Sequence, residues 1–342
     1  MNNLGNACRT LGDARKAISY YERALAIYEQ VCKETPNHPD IATTLNNLGS
    51  AWYTLGEGRK AISFLERALA MKEQVYQATP NHPDIAKTLN NLGTASYTLG
   101  DGHKAVSYYE RALAIKEQVY QATANHPDIA KTLVPLGTAW RALGDVRKAV
   151  SYYERALAIY EQVYQATANH PDIAKTLNNL GTAWGDLGDG RQAVSFYDRA
   201  LAIYQQVYKE TLNHPDIAMT LRNLGIVWGD LGDGRQAVSF LERALAIYQQ
   251  VYQATANHPD IAKTLVPLGT AWRDLGDGRQ AVSFLERALA IYQQVHKEAP
   301  NHPDIAKTLE SLGNAWRALE DESKAKSFFE RALAMKATAN HS

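Results

Sequence analysis

Cysteine is nearly absent: Cys8 and Cys32 are the only two among 342 residues. Two thiols cannot build a disulfide framework, so a reducing compartment, the cytoplasm, is expected. Net charge is absent as well. The 36 Lys and Arg side chains balance 36 Asp and Glu, which removes any general attraction for nucleic acid or an anionic membrane. Apolar runs of membrane-spanning length are missing, and Met1 leads into a polar segment. Neither membrane insertion nor a signal peptide is therefore expected. The apolar share of 45% is still too high for a disordered chain.

What is present is repetition. The tetrapeptide NHPD starts at Asn37, Asn81, Asn125, Asn169, Asn213, Asn257 and Asn301, always 44 residues apart. A Leu-Gly pair keeps the same spacing, with its glycine at Gly5, Gly49, Gly93, Gly137, Gly181, Gly225, Gly269 and Gly313. Length alone would suggest two domains. The period instead predicts one solenoid domain over 1–342, in units 1–36, 37–80, 81–124, 125–168, 169–212, 213–256, 257–300 and 301–342.

Each unit reads as two helices. In the fifth, Ile173, Leu177, Leu180 and Trp184 recur at steps of three and four, one face of a first helix, A. Pro171 suits its first position and Asp172 the positive end of its dipole. Leu187-Gly188-Asp189 then closes A and caps a longer helix B, which carries Ala193, Tyr197, Ala200, Leu201, Tyr204 and Val207 on the helical period. Gly181 lies inside helix A, where glycine costs about 1 kcal/mol against alanine. Its presence in every unit predicts close approach of another helix, with Ala193 and Ala200 as the matching small faces. Trp184 and its equivalents Trp52, Trp140, Trp228, Trp272 and Trp316 should fill the space between hairpins. Cys8 and Ser96 replace that Trp, so those units should be less well packed.

This pattern of Leu, Leu-Gly, an aromatic, then Ala, an aromatic or Leu, and Ala resembles the tetratricopeptide repeat over essentially the whole chain. The 44-residue period and the segment NHPDIAKTLNNLG look like the kinesin light chain subgroup, also seen in nephrocystin-3-like proteins. One departure is the missing proline at the end of the repeat, where helix B runs on through Gln205-Gln206. The resemblance implies an all-α fold, a right-handed superhelical solenoid of eight antiparallel helix-turn-helix units. It further implies that helix A lines a concave face.

Few residues are left over for chemistry. Of ten histidines, seven belong to NHPD, leaving His103, His296 and His341. All twelve prolines lie in NHP, just before it (Pro36, Pro80, Pro300), or at Pro135 and Pro267, where they kink helix A or bend the superhelix. Each NHPD histidine stands alone in its unit at a helix start, which fits a capping or solvated role and no metal site. HPD also matches the J-domain signature, but that string occurs once, in a loop, in those proteins. The Gly-Asp-Gly before Arg191 lacks the rest of a phosphate loop. Pairs such as Glu66-Arg67 repeat along an exposed face, as solvated charges do. The tyrosine ridge of helix B (Tyr160, Tyr204, Tyr248) packs against the next hairpin rather than stacking bases. Cys32 reads as an apolar filler. No catalytic residue, cofactor or metal is expected.

Units of a repeat differ where packing does not fix them. Here the differences fall on one stripe of helix A, opposite the Leu-Leu-Trp core stripe. It carries Asn46, Asn90 and Asn178, then Asn47, Asn91, Asn179 and Asn223, then Tyr53, Tyr97, Arg141, Arg273 and Arg317. Gly185 and Gly229 open space in the fifth and sixth units. Asn offers a donor and an acceptor to a peptide backbone of any sequence. Lys131 and Lys175, near the starts of their A helices, add carboxylate-binding charge with the arginines. By the resemblance, an Asn at the place of Asn47, Asn91, Asn179 and Asn223 clamps ligand backbone. The reading is a non-enzymatic protein-interaction scaffold holding an extended or helical segment of a partner. Alternatives are a sensor or recruitment array of a larger signalling NTPase or protease, and a structural, self-assembling solenoid. Neither end shows a distinct polar cap, as in an array cut from a longer one. Apolar faces near Leu4 and near Phe329 and Leu333 should then stay exposed and allow end-to-end self-association.

Overall fold

The start of helix A is set locally. In the computed structural model, His38 precedes Pro39 with extended backbone, and its Nδ1 accepts the N–H of Asp40 at 3.2 Å. His82, His126, His170, His214, His258 and His302 cap their helices in the same way. The capping role read from the sequence is the role these seven histidines have. The structure describes every residue except Pro36, Ala124, Ala168, Ala254, Ala256 and 340–342, so His341 lies outside the described residues.

Among the described residues there are sixteen α-helices, two short 3-10 turns and no strand. They fall into two units. The first, Met1–Ala168, holds α1 (Asn2–Thr10), α2 (Ala14–Val31), α3 (Pro39–Thr54), α4 (Gly58–Val75), α5 (Pro83–Thr98), α6 (Gly102–Val119), α7 (Pro127–Ala142) and α8 (Val146–Val163). The second, Asn169–Ser342, holds α9 (Pro171–Asp186), α10 (Gly190–Val207), α11 (Pro215–Asp230), α12 (Gly234–Val251), α13 (Pro259–Asp274), α14 (Gly278–Val295), α15 (Pro303–Ala318) and α16 (Glu322–Ala339). The odd-numbered helices are the A helices of the sequence reading and the even-numbered ones the B helices. No described helix is long and apolar enough to cross a membrane.

The turn inside each hairpin follows from its residues. Gly188 takes φ 83°, the left-handed conformation that ends a helix. Asp189 then accepts the N–H of Gln192 and caps the next one. In the last hairpin Glu320 must adopt φ 61° without that freedom. Pro135 and Pro267 sit within α7 and α13, which run on past them.

Packing explains the helix A glycines. A Cβ on Gly137 would lie 2.8 Å from Tyr153 Cε1, and one on Gly225 would lie 2.5 Å from Leu241 Cγ. Helix B thus presses a fully buried Tyr or Leu onto the bare backbone of helix A. Within each unit, every helix B also packs on the next helix A, and the A helices lie side by side: α1, α3, α5, α7 in one unit and α9, α11, α13, α15 in the other. The surface of each row is called the A face below. Trp228, Trp272 and Trp316 pack half-buried against the core of the second unit. Ser96, where a Trp is expected, is buried, and its hydroxyl finds no hydrogen-bond partner.

Candidate functional site

The neighbouring asparagines of helix A have different jobs. Successive helical residues point about 100° apart, so the two members of each pair meet different neighbours. Asn46 and Asn178 are 2% and 3% exposed. Asn178 Nδ2 donates to Thr220 Oγ1 of the next A helix at 2.8 Å. Half-buried Asn90 does the same to Thr132 at 3.0 Å, and Asn2 to Thr44 at 2.8 Å. Asn46 Oδ1 accepts from Asn91 Nδ2 at 3.1 Å. Asn46, Asn90 and Asn178, expected among the ligand contacts, tie adjacent A helices together, and Asn90 also lines the concavity of the first unit. Asn47, Asn91, Asn179 and Asn223 are half-buried at the outward position.

The charged and aromatic members of the stripe are spread along these faces. Lys131 Nζ lies 3.3 Å from Asp128 Oδ1. Lys175 is exposed in the first turn of α9. Arg273 donates through Nε to Asp274 at 2.9 Å, and Arg317 lies over the Phe329 ring at 4.7 Å. Arg141 is half-buried at the end of α7. Tyr53 packs on the first unit's core, and Tyr97 is half-buried near the end of α5.

Among the described residues, each unit has a concavity on its A face. In the first unit a space of about 390 Å³ is lined by Lys87, Asn90, Asn91, Lys116 and Lys131, with Asp84 and Asp128. Lys116 reaches it from helix B. Its ammonium donates to the Asp128 carbonyl at 2.9 Å and to Thr132 Oγ1 at 2.8 Å. Burial pulls its pKa down to about 8, with Asp128 partly opposing the shift. In the second unit a space of about 400 Å³ has an apolar floor of Ile226, Val266, Pro267 and Ala271, open because Gly229 has no side chain. Lys263 and Lys307, from the starts of α13 and α15, flank it together with Asp230 and Asp274, from the ends of α11 and α13. Burial raises the pKa of Asp230.

Two features escaped the sequence reading. One is the buried threonine of the NHPDIAxT segment, which at Thr44, Thr132 and Thr220 receives the asparagine of the preceding A helix. The other is a stack at the hairpin junctions. Tyr76, Tyr120, Tyr208 and Tyr252 lie flat on His82, His126, His214 and His258, with ring centroids 3.5 to 3.7 Å apart. Each tyrosine hydroxyl then donates to the aspartate two residues further on, for example Tyr208 to Asp216 at 2.9 Å. The 44-residue spacing of both partners was the available signal.

Family models described as tetratricopeptide repeat match residues 1–74, 85–128, 128–206, 172–250 and 260–338, nearly the entire chain. The chain is a tetratricopeptide-repeat protein. No curated protein matches it. Among solved structures, this tetratricopeptide-repeat chain is similar to the apo form of the quorum sensor NprR from B. thuringiensis. The TM-score is 0.66 at 18% identity, over 94% of this chain and 83% of that one. The Rap conjugation gene regulator of plasmid pLS20, in complex with the Phr* peptide, gives 0.58 at 18% identity over 89% and 76%. A Podosopora anserina putative kinesin light chain with nearly identical repeats gives 0.52 at 23% identity over 64% and 99%. These likenesses establish the same fold: an all-α array of helical hairpins.

Proposed function

We propose that this tetratricopeptide-repeat protein is a non-enzymatic interaction scaffold whose A faces hold an extended or helical segment of a partner protein. The observation that carries the reading is the concavity lined by Lys87, Asn91 and Lys131, where a side-chain amide and two ammonium groups meet on one face. The Rap regulator of similar fold, solved with a peptide, supports it. No catalytic step belongs to the reading, because the histidines and aspartates of NHPD are engaged in caps and stacks. The unpaired thiols of Cys8 and Cys32 favour the cytoplasm, and the balanced charge favours a protein rather than a nucleic-acid partner.

The test is capture of a partner from the source organism, identified by mass spectrometry, with Asn47, Asn91, Asn179 and Asn223 all changed to Ala. Each lost bond to a ligand backbone is worth about 1 kcal/mol, so affinity should fall at least about tenfold. Undiminished capture by a variant of unchanged helicity would rule out the A-face reading.

A second reading, self-association, rests on apolar side chains of the first and last hairpins. Leu4 is 52% exposed and Leu333 is 69% exposed. Phe329, expected to be exposed with them, is half-buried against the bare backbone of Gly313. If self-association holds, light scattering will show mass rising with concentration, and Leu333→Asp will suppress the rise. A constant monomer mass refutes it.

A further inference from the structure

The last hairpin junction departs from the others. His296 occupies the place taken elsewhere by Tyr76, Tyr120, Tyr208 and Tyr252. Its ring lies on that of His302, 3.5 Å between centroids and 6° between planes. The tyrosine hydroxyls at the equivalent place reach their aspartates directly, at 2.9 to 3.2 Å. His296 Nε2 stops 3.9 Å from Asp304 Oδ2, beyond hydrogen-bond range. His302 Nδ1 is 3.6 Å from the same oxygen. A nitrogen of each imidazole and a carboxylate oxygen thus lie within 4.8 Å of one another, the only such trio of His, Cys, Asp or Glu ligand atoms among the described residues.

We propose that His296, His302 and Asp304 form a divalent transition-metal site of the zinc class, completed by water, which ties the end of α14 to the start of α15. Four-coordinate zinc, with bonds of about 2.1 Å, holds its ligand atoms about 3.4 Å apart. The two separations to Asp304 are already close to that value. The side chains are 21 to 34% exposed, so water reaches them, and the stack opens for both nitrogens to converge on one ion. Two imidazoles and one carboxylate suit zinc, cobalt or nickel and not the oxygen-seeking calcium or magnesium. Two features limit the affinity. The single lone pair of His302 Nδ1 accepts the Asp304 N–H at 3.2 Å, a cap bond that metal binding must replace, and the positive end of α15 disfavours a cation. The site therefore binds more weakly than a closed four-ligand structural zinc.

The untagged full chain is titrated with cobalt(II), followed by its visible absorption, and zinc is then added as competitor. One saturable site per chain is expected. His296→Tyr installs the residue found at Tyr76, Tyr120, Tyr208 and Tyr252 and leaves every NHPD histidine beside its aspartate. It should abolish the site or weaken it at least about tenfold with helicity unchanged. Tyr252→His offers a second route if that variant does not fold: it recreates the trio beside His258 and Asp260 and should raise the stoichiometry to two. The proposal is overturned by an absence of saturable binding in the parent chain. It is equally overturned by equal binding in folded His296→Tyr, or by a Tyr252→His chain that stays at one.

Discussion

Raising the pH from about 8 to about 10 is expected to stabilise the protein, and the gain should disappear when Lys72 and Lys116 are both changed to Tyr. These lysines are only 3% and 9% exposed. Lys72 donates to the Asp84 carbonyl at 3.2 Å and to Thr88 Oγ1 at 3.0 Å, so neutral oxygens rather than a carboxylate receive the ammonium. Burial lowers both pKa values from 10.5 to about 8, with Asp84 and Asp128 partly opposing. Between those pH values the unfolded lysines keep their protons and the folded ones have lost them. The unfolded state then binds more protons, and stability rises with pH. The full effect is on the order of 3 kcal/mol per lysine.

The rise has an upper limit set by buried phenols. Burial pushes Tyr109 and Tyr248 up to about 12, whereas an unfolded tyrosine ionises near pH 10. Above about pH 10 the unfolded state loses protons first, and stability falls again. Urea midpoints across this range should therefore pass through a maximum. The double Lys→Tyr variant carries the residue found buried at Tyr160, Tyr204 and Tyr292. It should be the more stable chain at neutral pH and lack the rising limb. A parent profile that is flat from about pH 8 to 10 contradicts the argument.

Gly49→Ala should destabilise the protein by about 2 kcal/mol although alanine is the better helix former. The new Cβ would lie 2.5 Å from Leu65 Cγ and 3.0 Å from the Ala61 carbonyl oxygen. Leu65 is 1% exposed and has nowhere to go, so α3 and α4 must move apart. Overpacking of this kind costs about 1–3 kcal/mol and outweighs the propensity gain of about 1 kcal/mol. Gly185→Ala should have the opposite sign. Its Cβ would meet nothing nearer than 4.0 Å, so only the propensity and unfolded-state terms act, stabilising by about 0.5–1 kcal/mol. Denaturant midpoints of the two variants decide the matter, and shifts in the same direction would contradict the packing account.

Helices, turns and the seven caps were legible because their causes are local: a proline at a first turn, a glycine after a last one, a histidine two residues from the N–H it receives. The candidate site was legible only as a stripe. Periodicity places Asn46 and Asn47 on the same side of α3. Which of them turns toward α5 depends on where Thr88 comes to lie, and no property of α3 alone fixes that. The apolar concavity of the second unit was hidden for a similar reason. Pro267 and Gly229 stood out in the sequence, but their meeting with Ile226 and Val266 belongs to the packing of α11 beside α13. His296 was noted as a leftover histidine, and its approach to Asp304 comes from the stack with His302 that the five residues between them allow.

The junction between hairpins also bears on how such a chain changes over generations. Lys72 of α4 and Tyr76 just after it meet Thr88, His82 and Asp84. Lys116 of α6 and Tyr120 just after it meet Thr132, His126 and Asp128. Loss of residues 81–124 would therefore present the first pair of side chains with the partners of the second, chemically unchanged. Loss of that one period preserves these junction contacts, whereas a single substitution at the same interface breaks them. For this architecture a recombination event between copies is the gentler mutation, and array length is free to drift while the joint is held constant.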